Sequence, residues 1–198
     1  MTGQPEARLA RVVLEGEALT RLSPLLEAER AQAVADLTAG SRFAARASKP
    51  LTSAHDPTSA HDPTSVHDRT PAHHPTPARG PTVPSPPAAG PYELRLSIWE
   101  GRLVFDVRHV DGAKVTMLGL ALGPFRRLIK DYQLLVDSHI KAMEEGREAR
   151  IQAIDMGRRG LHDEGATLLC QRLDGKIDMD FDTARRLFTL VCVLHTKV

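Results

Sequence analysis

At 198 residues, 41% hydrophobic and 26% charged, the chain is long enough to bury one substantial core and short for two, so a single domain is expected. Lys plus Arg number 26 and Asp plus Glu 25, a net charge of +1, which removes any bulk electrostatic draw toward nucleic acid or an anionic membrane surface. No apolar run approaches the roughly 18 residues needed to span a bilayer, and the N-terminus MTGQPEARLARVVLEGE carries no apolar leader, so a cytoplasmic protein without membrane contact is expected.

In chain order, ARLARVVLEGE predicts a first strand, with Leu9, Arg11 and Val13 on one side, Ala10, Val12 and Leu14 on the other, pairing at a sheet edge. Ser23 and Pro24 supply an N-cap and a first helical residue, and LLEAERAQAVADLTAG continues as a helix to Gly40. Leu22, Leu25, Leu26, Ala33, Val34 and Leu37 form its buried face.

Residues 44–89 break this pattern. The tract holds ten of the 14 prolines and five of the nine histidines, and it repeats every six residues: SAHDPT from Ser53 and Ser59, SVHDRT from Ser65, PAHHPT from Pro71 and PARGPT from Pro77. Each copy offers one alanine or valine to bury, too little for a core or a solenoid, so a disordered insertion is expected between two parts of one domain, 1–43 and 90–198. The recurrent His55, His61, His67 and His73 are read as a consequence of the repetition, and no metal is assigned to them.

YELRLSIW and RLVFDVRH alternate around Glu100 and Gly101 and predict a hairpin. Pairing Trp99 with Arg102 places Ile98 opposite Leu103, Leu96 opposite Phe105 and Leu94 opposite Val107. On the other face the same register sets Arg95 opposite Asp106 and Glu93 opposite Arg108, and lets Arg102 lie on the Trp99 ring. Asp111 and Gly112 turn the chain into AKVTMLGLAL, for an antiparallel meander of three strands, or four with the first.

After Gly123, a helix is expected from Pro124 to Gly146 with Phe125, Leu128, Ile129, Tyr132, Leu135, Val136 and Ile140 inward. A long helix follows over Ile151 to Leu173, with Ile151, Ile154, Leu161, Leu168, Leu169 and Arg172 at helical spacing. Gly157, Gly160 and Gly165 cost it roughly 1 kcal/mol each against alanine, which requires close approach of another chain segment or room for a ligand. KIDMDF is a short extended segment, and Asp180 or Asp182 caps a last helix, TARRLFTLVCVLH. Cys170 and Cys192 lie on apolar helical stripes without CxxC spacing, as buried reduced thiols do. The fold class is α+β, an antiparallel meander of three to four strands packed on one face by about four helices.

GPYELRLSIWEGRLVFDVR, LGPFRRLIKDY, IQAIDMGRRGLHDEG and KIDMDFDTARRLFTLVCVLH together resemble a small bacterial family, uncharacterised protein family 0262, over roughly Arg8 to Gly40 and Gly90 to His195. The resemblance brings no catalytic or binding residues to carry over. The repeat tract is where this sequence departs from the family, whose linker is shorter.

Two constellations remain as candidates. Three arginine doublets, Arg126 and Arg127, Arg158 and Arg159, Arg185 and Arg186, sit on helices, two of them near helix starts, where the macrodipole disfavours cations by about 0.3–1 kcal/mol. Either Asp131, Asp155, Asp163, Asp180 and Asp182 pair with them as a structural network, or guanidinium forks and helix N–H groups receive an anion. His162, Asp163 and Glu164, with His195 or His109, are candidate acids or bases, but adjacent helical residues point about 100 degrees apart, so the three cannot act together and His162 lies over Asp155, Arg158 and Arg159 instead. HExxH, GxSxG and P-loop spacings are absent and no cofactor is expected. The favoured reading is a non-catalytic binding or regulatory protein that recognises an anionic small molecule or a protein partner through Arg126, Arg127, Arg158, Arg159, His162, Arg185 and Arg186. The alternative is a small enzyme with a His162 and carboxylate acid–base site; a cleft where both converge would favour it, a flat charged face the former.

Overall fold

The computed structural model describes residues 7–16, 19–20, 22–46 and 89–196. The expectations for the hexapeptide repeats and their histidines lie outside the described residues, with one correction at the boundary. Phe43–Ala45 forms a strand, and Phe43 and Ala45 are buried, so ordered chain continues past residue 43.

The elements run β1 (Leu9–Glu15), α1 (Pro24–Gly40), β2 (Phe43–Ala45), β3 (Tyr92–Trp99), β4 (Arg102–His109), β5 (Lys114–Ala121), α2 (Arg126–Glu144), α3 (Glu148–Leu173), β6 (Ile177–Met179) and α4 (Phe181–Leu194). The class is α+β, but the sheet is mixed. β3, β4 and β5 form the antiparallel meander, whereas β1 joins β3 in parallel, giving the order β1-β3-β4-β5. A parallel neighbour needs a crossover, and α1 lies between the two strands in sequence, packed on β1. A register shift between Leu9 and Arg11 breaks the expected alternation in β1 and turns both Leu9 and Val12 into the core. β2 and β6 form a separate antiparallel pair, with Phe43 opposite Met179 and Ala45 opposite Ile177.

All pairs of the expected β3–β4 register are present, from Tyr92 opposite His109 to Trp99 opposite Arg102. The turn holds both central residues at positive φ, 48° at Glu100 and 71° at Gly101, which matches the twist of the flanking strands. Leu94, Leu96, Leu103, Phe105 and Val107 are fully buried on the face toward the core. The opposite face is charged, but the expected β3–β4 pairs are replaced by ion pairs along each strand, and Arg11–Glu93 and Arg95–Glu15 link β3 to β1 instead. Arg95 Nε donates to Glu93 Oε1 at 2.7 Å, and Arg108 Nη2 donates to Asp106 Oδ2 at 2.8 Å. Residues two apart on a strand share a face, and Asp106 is already engaged by Arg108. Arg102 does not fold back on Trp99, which is 70% exposed; its side chain crosses to β5, 3.7 Å from where a Cβ on Gly119 would sit.

Local signals set the helix ends. Ser23 Oγ accepts from Leu26 N–H at 3.3 Å at the start of α1, and Asp180 Oδ1, one of the two candidate caps, accepts from Thr183 N–H at 2.8 Å at the start of α4. A tight turn over Gly123–Phe125 precedes α2. Gly146 and Gly175, at φ 65° and 69°, follow the ends of α2 and α3. α3 starts at Glu148, three residues before Ile151, and its Arg172 is exposed where the apolar stripe had placed it inward. The most buried helix is α4, in which every residue from Leu187 to Leu194 is covered. It packs against α1 and α3, and α3 packs in turn on α2. Of the three α3 glycines, Gly165 explains itself: an added Cβ would lie 2.4 Å from the Phe188 ring on α4.

Candidate functional site

Between α1, α2, α3 and α4 the apolar packing is interrupted by a buried polar cluster. Its centre is the ion pair between Glu29 on α1 and Arg158 on α3, with side chains only 12% and 16% exposed. Glu29 also accepts the hydroxyl of Tyr132 from α2, and Asp155 Oδ1 lies 3.5 Å from Arg158 Nη1. His139, half-buried on α2, approaches the same Asp155 at 3.9 Å. Burial lowers the Arg158 pKa from its ordinary value and raises that of Tyr132. The pairing with Glu29 supplies the compensation that an inward guanidinium requires.

His162 lies one turn beyond Arg158 on α3. Its ring stacks on Tyr132 at 5.7 Å and meets the edge of Phe188 at 6.0 Å. Burial, reinforced by the charges of Arg158 and Arg185 and opposed by Asp163, pushes its pKa down to about 4, so the imidazole is neutral at pH 7. Nε2 is buried without a hydrogen-bond partner.

The expected site residues separate into three groups. Arg158 and His162 are inward, while Arg185 and Arg186 stand at the rim. Arg185 Nε lies 2.8 Å from Asp163 Oδ1; Arg186 donates from Nε to Asp36 Oδ2 and from Nη1 to the Asp182 carbonyl, each at 3.1 Å. Because Asp180 caps α4, these two arginines fall in its second turn, away from the free N–H groups of its start. Arg126 and Arg127 do occupy the first turn of α2, but they point elsewhere. Arg126 is exposed, and Arg127, 77% exposed, bridges to Glu164 at 3.2 Å across a separate groove of about 500 Å³ beside Pro124, Thr167 and Gln171. Arg159 is exposed. The doublets of α3 and α4 therefore contribute to one region, and that of α2 does not.

That region is a pair of adjoining clefts. One, about 230 Å³, is lined by Asp36, His162, Asp182, Arg185, Arg186 and Thr189. The other, about 190 Å³, shares Asp36, His162, Arg186 and Thr189 and reaches inward to Glu29, Gln32 and Arg158. Sequence reasoning missed Glu29 and Asp36 because it sought acids on the arginines' own helices. A signal was present for Glu29: it sits at helical spacing between Leu26 and Ala33, an acid inside the buried stripe of α1. Tyr132 was expected as core, but a buried hydroxyl needs a partner, and Glu29 is that partner.

These features define a small α+β protein with a charge-balanced cleft over a helical bundle. The chain belongs to the family described as Uncharacterised protein family (UPF0262), which matches residues 6–197. It is 56% identical over 192 residues to a UPF0262 protein of Granulibacter bethesdensis, covering 96% of this chain and 91% of that one. It is 48% identical to a UPF0262 protein of Acidiphilium cryptum, with 96% and 93% covered, and 38% identical to one of Xanthobacter autotrophicus, with 98% and 95% covered. The names of the family and of these relatives carry no activity. No solved structure matches the chain. No helix among the described residues is long and apolar enough to cross a membrane.

Proposed function

We propose that the protein is a small non-catalytic binding or regulatory module whose ligand presents an anionic group to Arg185 and Arg186 in the cleft over His162. The observation that carries this reading is the convergence of Arg185 and Arg186 on one cleft, lined also by His162, whose ring burial keeps uncharged. A neutral imidazole adds no charge to a site that already has two guanidiniums. Arg158 is given a structural role, since its guanidinium is engaged by Glu29 and Asp155. Arg126, Arg127 and Arg159 are left outside the site.

The alternative, a small enzyme with His162 as acid or base, draws support from the convergence of His162 and Asp36 in one cleft. The chemistry weighs against it. Proton transfer at neutral pH is served best by a group titrating near pH 7, and His162 titrates near 4. A cytoplasmic setting belongs to the same proposal, supported by Cys170 and Cys192 standing as free thiols.

The test is a thermal-shift titration of the full chain with inorganic phosphate, acetate and citrate. A ligand at 100 times its dissociation constant stabilises by about 2.7 kcal/mol, so binding raises the melting temperature. The shift is expected to vanish in the Arg185→Gln, Arg186→Gln double variant and to survive in Arg126→Gln. Absence of any shift, or a shift unaffected by the double variant, overturns the reading.

A further inference from the structure

The cleft over His162 leaves hydrogen-bonding capacity of both signs open. Arg185 Nε stands at ion-pair distance from Asp163, and the terminal nitrogens of Arg185 have no protein acceptor among the described residues. Arg186 uses Nε and Nη1, leaving Nη2. On the acidic side, Asp182 lines the same cleft and its carboxylate forms no ion pair among the described residues. Asp36 holds Arg186 through Oδ2 and accepts the Gln32 amide at 2.8 Å through Oδ1, and each oxygen retains a further lone pair. His162 lines both clefts beside the two sets.

A plain anion in this space meets Arg185 and Arg186 but also faces Asp36 and Asp182; a plain cation has the reverse difficulty. Like charges brought together in one cleft cancel much of the attraction that opposite charges supply. A ligand carrying both signs meets its complement at each end. The two adjoining volumes, about 230 and 190 Å³, suit a molecule of amino-acid size.

We propose that the ligand of this site is a small zwitterion: its anionic group sits on Arg185 and Arg186, and its ammonium group sits on Asp182 and Asp36. This inference rests on the anion reading above and narrows it to a chemical class, an aminocarboxylate or an amino phosphate ester. The ammonium group donates to the two carboxylates, and no covalent step is involved.

Calorimetric titration of the full chain with two matched pairs tests it: β-alanine against propionate, and phosphoethanolamine against inorganic phosphate. Each zwitterion is expected to bind roughly tenfold more tightly than its matched anion, and the better pair names the anionic group. Asp182→Asn is expected to erase that preference while leaving the anion's affinity equal or higher, and Asp182→Glu to restore it. Asp182 is an exposed first-turn residue, and the melting temperature of each variant checks that its fold is intact. If the plain anions bind as tightly as the zwitterions, or if Asp182→Asn leaves the preference unchanged, the zwitterion inference is overturned while anion binding stands. If none of the four binds, both fall.

Discussion

His162 ties the acid stability of the fold to one side chain. It lies between Tyr132 and Phe188, with Arg158 and Arg185 as neighbouring cations and Asp163 as the opposing acid, and its pKa is about 4 against an ordinary 6.5. The folded-state pKa lies below the unfolded one, so the unfolded chain takes up the proton first as pH falls. The stability contributed by neutral His162 is therefore complete above about pH 6.5 and is lost between about pH 6.5 and 4. At roughly 1.4 kcal/mol per pH unit the whole loss is about 3 kcal/mol, most of which has gone by about pH 4.5. Carboxylates add their own acid dependence, but His162→Phe removes only the imidazole and preserves an aromatic ring against Tyr132 and Phe188. In urea unfolding from about pH 7 to about pH 4.5 the wild type should lose about 2–3 kcal/mol relative to His162→Phe. His162→Gln, whatever its absolute stability, should flatten the profile equally. Parallel pH profiles for wild type and both variants would refute the reasoning, because the buried imidazole would then titrate alike in the folded and unfolded chains.

Removing one partner of the Glu29–Arg158 pair should be far worse than removing both. Arg158→Met strands a buried carboxylate and is expected to cost about 3–5 kcal/mol in urea unfolding, with much of that recovered by adding Glu29→Gln; equal destabilisation of single and double variants would show that the pair is not coupled. The α3 glycines should split in sign. Gly160→Ala, with nothing within 4 Å of the new Cβ, should stabilise by about 1 kcal/mol, whereas Gly165→Ala drives a methyl into Phe188 and should destabilise by about 1–3 kcal/mol. Circular-dichroism melts in which both alanines shift the transition the same way would contradict this. Arg95→Glu sets a new carboxylate beside Glu93 and Glu15 and should lower the urea midpoint; Glu15→Arg should restore part of the loss. No coupling in that double-mutant cycle would mean the strand-face charges act independently.

The β3–β4 hairpin was legible residue by residue because its information is local. Slipping the register by one residue would expose Leu94, Leu96, Phe105 and Val107 together, and the turn at Glu100 and Gly101 fixes where pairing begins. The starts of α1 and α4 were legible for the same reason: a cap is a contact between neighbours in sequence, Ser23 to Leu26 and Asp180 to Thr183. Tertiary structure alone decided that β1 lies parallel to β3 and that Phe43–Ala45 pairs with Ile177–Met179, since backbone hydrogen bonds between distant segments leave little trace in side-chain pattern. It also chose the arginines' partners. The sequence supplies acids enough for several networks, and the packing of α1 beside α3 and α4 selects Glu29 for Arg158 and Asp36 for Arg186 while turning Arg126 and Arg127 away. Charge attraction is not specific to one partner; the geometry of packed helices is what makes it so.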